Sequence, residues 1–156
     1  MKAENRTDFL DRDQLRRYFE QGCKPSSEWG IGSEYENFIV DLNLEKPVSY
    51  AGPKSISKVF DLLMNKFGWV PVFEKSNIVG LEKDKANISL EPGGQFELSG
   101  AIKKTVHEVD QEMTSFMQNM QVICEELDLG LFSMGATPFW KREEMPIMPK
   151  NRYKKI

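Results

Sequence analysis

The sequence predicts an α+β fold, an antiparallel sheet with covering helices. Two observations carry that expectation. Short apolar segments follow one another at hairpin spacing between residues 69 and 99, and they are flanked by amphipathic stretches of helical period. Runs of strands interspersed with helices, rather than a regular β-α alternation, suggest a sheet covered on one face.

The elements can be justified in chain order. Leu15, Tyr18 and Phe19 recur at helical spacing, so a short amphipathic helix covers 13–21. Asp11 or Asp13 can cap it, and Gly22 offers a left-handed stop. Cys23–Ser27 reads as a loop and 29–42 as a strand. A second helix over 55–67 places Ile56, Val59, Phe60, Leu63 and Phe67 on one face, with Ser55 as cap and Gly68 as stop. Strands follow at 69–74, 77–82 and 86–91, the last two joined by a turn at Asp84-Lys85. Pro92-Gly93-Gly94 breaks the chain, and 95–99 resumes as a strand. A long helix over 105–128 presents Val106, Val109, Met113, Phe116, Met120, Ile123 and Leu127, and Gly130 stops it. A last strand covers 131–136, and 141–156 is a basic segment with six Lys/Arg against two Glu.

The bulk properties exclude several classes. The chain has 156 residues, 40% hydrophobic and 29% charged, with a net charge of −3. These values fit one soluble domain and no nucleic-acid partner. Two cysteines without a CxxC pair make no disulfide framework. Met1–Asp13 lacks an apolar core or Arg/Ser-rich transit character, and no run approaches a membrane span, so the expectation is a cytoplasmic protein without a membrane partner. There is no P-loop or GxGxxG. His107 is the single histidine, without a zinc- or triad-like partner. Cys124 reads as core, and Cys23 lies in a loop beside Lys24.

Side chains alternate across a strand. Gly32, Glu34, Glu36, Phe38, Val40 and Leu42 therefore share one face, and Ile31, Ser33, Tyr35, Asn37 and Ile39 the other. Glu34 and Glu36 would stand about 7 Å apart, and at an effective dielectric near 20 they repel by roughly 2 kcal/mol. Two readings follow: the sheet end is open and its glutamates are hydrated, or a divalent cation sits there. Ser89-Leu-Glu-Pro-Gly-Gly-Gln-Phe-Glu-Leu-Ser-Gly100 repeats the oddity. Gln95, Glu97 and Ser99 share one strand face, with Glu91 just before the turn. Oxygen-only donors suit Mg²⁺. The basic residues Lys141, Arg142, Lys150, Arg152, Lys154 and Lys155 either form a solvated tail or hold anionic groups beside the glutamates.

Gly22-Cys-Lys-Pro25, Trp29-Gly-Ile-Gly-Ser-Glu-Tyr-Glu-Asn-Phe38 and the Ser89–Gly100 motif resemble plant-type glutamate–cysteine ligases. Trp69-Val-Pro-Val-Phe-Glu74, Phe139-Trp140 and Met148-Pro-Lys-Asn-Arg-Tyr153 follow in that family's order. The resemblance runs from about residue 13 to the end. It implies a glutamine synthetase-like fold and an ATP- and Mg²⁺-dependent ligation of L-glutamate, through its γ-carboxyl, to L-cysteine. This is the first step of glutathione synthesis. It implies metal binding by Glu34, Glu36 and Glu97, with Glu91 as a further ligand. Glu34, Glu36 and Glu97 would be the catalytic set, and Gln95, Ser99, Arg152 and Lys150 would contact substrate or ATP. Ser33 departs from the commoner threonine, and Lys103-Lys104 replaces a more neutral stretch.

Members of that family run to several hundred residues. The expectation is therefore that residues 1–156 are the N-terminal part of one larger ligase domain, inactive alone and needing its remainder. Two alternatives stay open: a non-catalytic or split nucleotide- or metal-binding module, and a related carboxylate–amine ligase with another acceptor.

Overall fold

The computed structural model describes residues 11–137 and 139–155, the side chains of Lys154 and Lys155 excepted. Within them the chain forms α1 (Arg12–Gln21), β1 (Glu34–Asp41), β2 (Lys46–Pro47), α2 (Ile56–Phe67), β3 (Val70–Glu74), β4 (Asn77–Lys83), β5 (Ala86–Leu90), β6 (Gln95–Ser99), α3 (Val106–Leu127) and β7 (Leu129–Phe132). All pairings between the strands are antiparallel. β3, β4, β5, β6 and β1 lie side by side. β1 is paired on both flanks: Phe38 lies between Gln95 and Phe132, and Val40 between Pro47 and Gly130. The expected α+β class is borne out, with β2 as an addition.

One sheet face is covered by α2 and α3. Ile39, Leu81, Ile88, Leu90, Phe96 and Leu98 meet Val59, Phe60 and Leu63 of α2 and Phe116, Met120 and Ile123 of α3 in one core. Phe60 and Phe96 are fully buried, with ring centroids 5.6 Å apart. Local signals position the helices. Ser55 caps α2, and Gly68 closes it in the left-handed region at φ 72°. Thr105 and Glu108 form a capping box at α3. The β4–β5 turn takes positive φ at both Asp84 and Lys85, the conformation of a tight hairpin.

Several sequence expectations are corrected. α3 ends at Asp128, not Gly130: Asp128 adopts φ 53°, and its carboxylate is held by Lys54 at 2.7 Å and by the Asn43 amide. β7 consequently starts at Leu129, two residues before the predicted strand. Gly22 keeps right-handed dihedrals, φ −78°, and ends α1 by donating to the Phe19 carbonyl. β1 begins at Glu34, because residues 26–28 form a 3-10 turn and Ile31 makes an isolated bridge with Lys103. The apolar side of α1 does not join the core: Leu15, Tyr18 and Phe19 are all exposed. The Asp11–Gln14 capping box holds that helix locally.

The Phe60–Phe96 contact couples α2 to the strand that carries Glu97. Phe96→Ala should cost about 3–5 kcal/mol, read as a lower urea midpoint with an unchanged denaturant slope.

Candidate functional site

The sheet face away from the helices carries the polar residues. Register aligns them in lateral rows. Glu34 of β1 faces Ser99 of β6, which faces Asn87 of β5 and then Glu82 of β4. Glu36 faces Glu97, which faces Ser89 and then Gly80. Two carboxylates thus sit directly opposite each other on neighbouring strands, with Cβ atoms roughly 5 Å apart. The repulsion inferred along β1 is joined by a closer one across strands, which single-strand alternation could not reveal. Glu97 accepts the Ser99 hydroxyl at 2.9 Å. The Glu36 carboxylate leans toward Gly135, in the loop after β7.

Each predicted residue can be placed. Glu34, Glu36, Gln95, Glu97 and Ser99 share the open face. Gln95 donates to the Gly135 carbonyl at 3.2 Å, in the loop toward which Glu36 also leans. Glu91 stands beyond the row, where its carboxylate takes Arg152 Nη2 at 3.2 Å. The four glutamates do not converge on one point: among the described residues no group of three or more His, Cys, Asp or Glu side chains is set to hold a metal. Glu91 is drawn off by its ion pair, and adjacent strand positions hold Glu34 and Glu36 apart.

The C-terminal segment is not a solvated tail. Met148 and Tyr153 are buried, and the Met148 N–H donates to the Pro92 carbonyl at 3.2 Å. Gly94 makes this docking possible: it adopts φ 82°, and a Cβ there would lie 3.3 Å from Met148 Cε. The Tyr153 hydroxyl donates to the Leu90 carbonyl at 2.9 Å and accepts from Arg152 Nη2 at 2.5 Å. Glu74 holds the Asn151 N–H at 2.8 Å. Lys150 is half-buried. Burial lowers its pKa, the neighbouring Arg152 lowers it further, and Glu91, Glu74 and Glu97 oppose the shift. Lys150 and Arg152 therefore stand at the margin of the acidic face.

Sequence reasoning missed three participants. Tyr153 and Glu74 lie within quoted motifs, but only the docked segment shows their bonds. Asn37 is buried on the helix side, where it accepts the Ser133 hydroxyl at 2.6 Å and so ties β1 to the loop after β7. Phe38 shares the glutamate face yet is buried: the Trp140 ring packs on it at 6.0 Å and in turn meets Phe132, the β7 neighbour of Phe38, at 6.2 Å. Beside it lies a cleft of about 610 Å³, lined by Phe38, Pro92, Gln95, Trp140, Met145 and Tyr153 among others.

The face offers hydroxyls, an amide and carboxylates on one side and two cations at the rim. This donor set suits a hard cation and anionic groups.

Comparison with known proteins identifies the chain. The family described as Glutamate-cysteine ligase family 2 (GCS2) matches residues 30–156. The chain belongs to this family. The family agrees with the glutamine synthetase-like expectation for the sheet. The chain is 40% identical over 147 residues to the chloroplastic glutamate–cysteine ligase of Brassica juncea, covering 94% of this chain and 28% of that protein. It is 40% identical to the Arabidopsis thaliana enzyme over the same shares, and 38% identical to glutamate–cysteine ligase B of Oryza sativa subsp. japonica over 97% of this chain and 30% of that one. The chain thus spans under a third of these relatives. All three are chloroplastic, which overturns the expectation of a cytoplasmic protein. A compartment address is read from a leader rather than from the fold, so soluble composition carries no information on it. No helix among the described residues is long and apolar enough to cross a membrane.

Two predictions follow from this geometry. Glu97→Gln keeps the acceptor for Ser99 and removes the charge opposite Glu36. Without divalent cations it should stabilise the chain by about 0.5 kcal/mol in urea titrations. The Cys124 thiol is pushed up to about 11 by burial, whereas Cys23 is exposed. Iodoacetamide at neutral pH should therefore label one cysteine per native chain, Cys23, as read by mass spectrometry.

Proposed function

We propose that residues 1–156 are the N-terminal part of a single glutamine synthetase-like ligase domain. The whole domain joins the γ-carboxyl of L-glutamate to the amine of L-cysteine at the expense of ATP. The observation that carries the reading is the Glu36–Glu97 pair, fixed across two strands with Glu34 and Ser99 in the next row and Lys150 and Arg152 at the rim. Like charges in register are destabilising unless something between them binds.

Mg²⁺ fits this donor set, since it takes one or two carboxylates, keeps waters and completes its shell from phosphate oxygens. Glu36 and Glu97 would hold it, with Glu34 adjoining. When bound it would supply charge neutralisation for the phosphates of ATP. The protein residues do the rest. Arg152 and Lys150 attract phosphate or carboxylate oxygens, and Gln95 and Ser99 line the approach. The cleft against Trp140 shields the adjoining surface from water. In the reaction a glutamate γ-carboxylate oxygen attacks the γ-phosphorus of ATP and ADP leaves. The cysteine amine then attacks the acyl carbon and gives up a proton, and phosphate leaves with the electron pair of the broken C–O bond.

The two-carboxylate site and the length of the relatives support a chain that needs its remainder. With glutamate, cysteine and ATP, the 156-residue chain should release no ADP in a coupled assay. Mixed with the remaining part of such a ligase, or joined to it, it should turn over. In that context Glu34→Gln, Glu36→Gln and Glu97→Gln should each lower kcat about a hundredfold or more, equivalent to roughly 2.7 kcal/mol, with unfolding midpoints close to wild type. Turnover by the chain alone, or full activity in the Glu36 variant, would refute the reading. Replacing cysteine with other amines in the joined enzyme separates this acceptor from a related carboxylate–amine ligase.

A further inference from the structure

Glu112 lies in the second turn of α3, and its carboxylate is largely buried. Oε1 accepts the Ala101 N–H at 3.2 Å and Lys103 Nζ at 3.0 Å. Oε2 is buried and takes no hydrogen bond, as is Ser33 Oγ. Both atoms press on Gly100: a Cβ there would strike Glu112 Oε2 and come within 2.6 Å of Ser33 Oγ. Around this point β1 starts and β6 ends. The Gly100 N–H donates to the Ser33 carbonyl at 2.8 Å, and Ile31 and Lys103 exchange backbone bonds of 2.8 and 3.0 Å. The next residues along the two strands are Glu34 and Ser99, which face each other, and then come Glu36 and Glu97.

We infer that Glu112 is a positioning residue for the acidic face, an inference that rests on the reading of that face as a cation site. The ladder between β1 and β6 terminates within two residues of a like-charged pair that pushes the strands apart. The Glu112 carboxylate gathers Lys103 and the Ala101 N–H on one oxygen and seats the other against Gly100. It thereby clips α3 onto the junction and holds the two strand ends together from behind. A carboxylate is required because an amide lacks the charge that holds Lys103 Nζ at 3.0 Å. Glycine is required at 100 because any side chain would lever the carboxylate away.

The test compares Glu112→Gln, Gly100→Ala and the double variant of the 156-residue chain. Amide exchange reads the junction, and water-proton relaxation reads the affinity for Mn²⁺, used as the probe for Mg²⁺. Each single variant should speed exchange at the ends of β1 and β6 about tenfold, leave the β4–β5 hairpin unchanged, and weaken Mn²⁺ binding by about tenfold, the usual effect of losing a group that supports metal ligands. The double variant should be no worse than either single one, because both release the same clip. Should Glu112→Gln fail to fold, Gly100→Ala carries the same comparison. Unchanged exchange at the strand ends, losses that add, or lowered stability with wild-type Mn²⁺ affinity would overturn the inference. A wild-type chain that takes up no Mn²⁺, with exchange still quickened in the variants, sinks the cation reading and keeps the clip.

Discussion

A one-residue slip of β1 against β6 would turn Glu34 and Glu36 into the helices and expose Tyr35 and Ile39 to water. The register in which these strands meet is therefore the constraint from which the rest follows. It is enforced from the helix side, where Ile39, Phe96 and Leu98 sit in the core with Phe60 and Phe116. Burial of these side chains is worth roughly 1.5–3 kcal/mol each. The cross-strand carboxylate repulsion is smaller than the sum of these burials. The apolar face wins, and the glutamates are held opposite each other although they repel.

The two faces of the sheet thus divide the work. One contributes stability: on its side Cys124 is buried with a raised pKa, and Asn37 is committed to Ser133. The other is left open and stores electrostatic repulsion, which a bound cation would relieve. This division explains why a small sheet can carry several acidic residues in two rows without losing its fold. It also explains why the acidic face is sensitive to the strand ends, where the ladder has no further pairs to share the load.

The C-terminal segment supplies the opposite charge. It folds back because Met148 seats against Gly94 of the Pro92-Gly93-Gly94 turn and Tyr153 is buried with its hydroxyl on the Leu90 carbonyl. Lys150 and Arg152 are carried along to the margin of the glutamates. The same motif therefore contributes twice. Its strand presents Gln95, Glu97 and Ser99, and its turn receives the segment that brings the cations.

Much of this was legible in the residues. Period-two alternation separated the glutamates of β1 from its core side, and helical periodicity located α2 and α3, with Ser55 and Gly68 bounding α2. The Pro-Gly-Gly break and the Ser89–Gly100 motif marked the strand that matters and the family to which the chain belongs. These are local properties, determined by which face a side chain takes and which dihedrals a residue tolerates. Other features required the tertiary structure. That Glu36 faces Glu97, that Glu91 is captured by Arg152, that Phe38 is roofed by Trp140 and that Leu15, Tyr18 and Phe19 stay outside the core all depend on partners distant in the chain. Asp128 ended α3 before Gly130 could, because Lys54 and Asn43 were there to hold its carboxylate. Sequence determined which residues could build an acidic sheet face; packing between distant segments decided which of them meet.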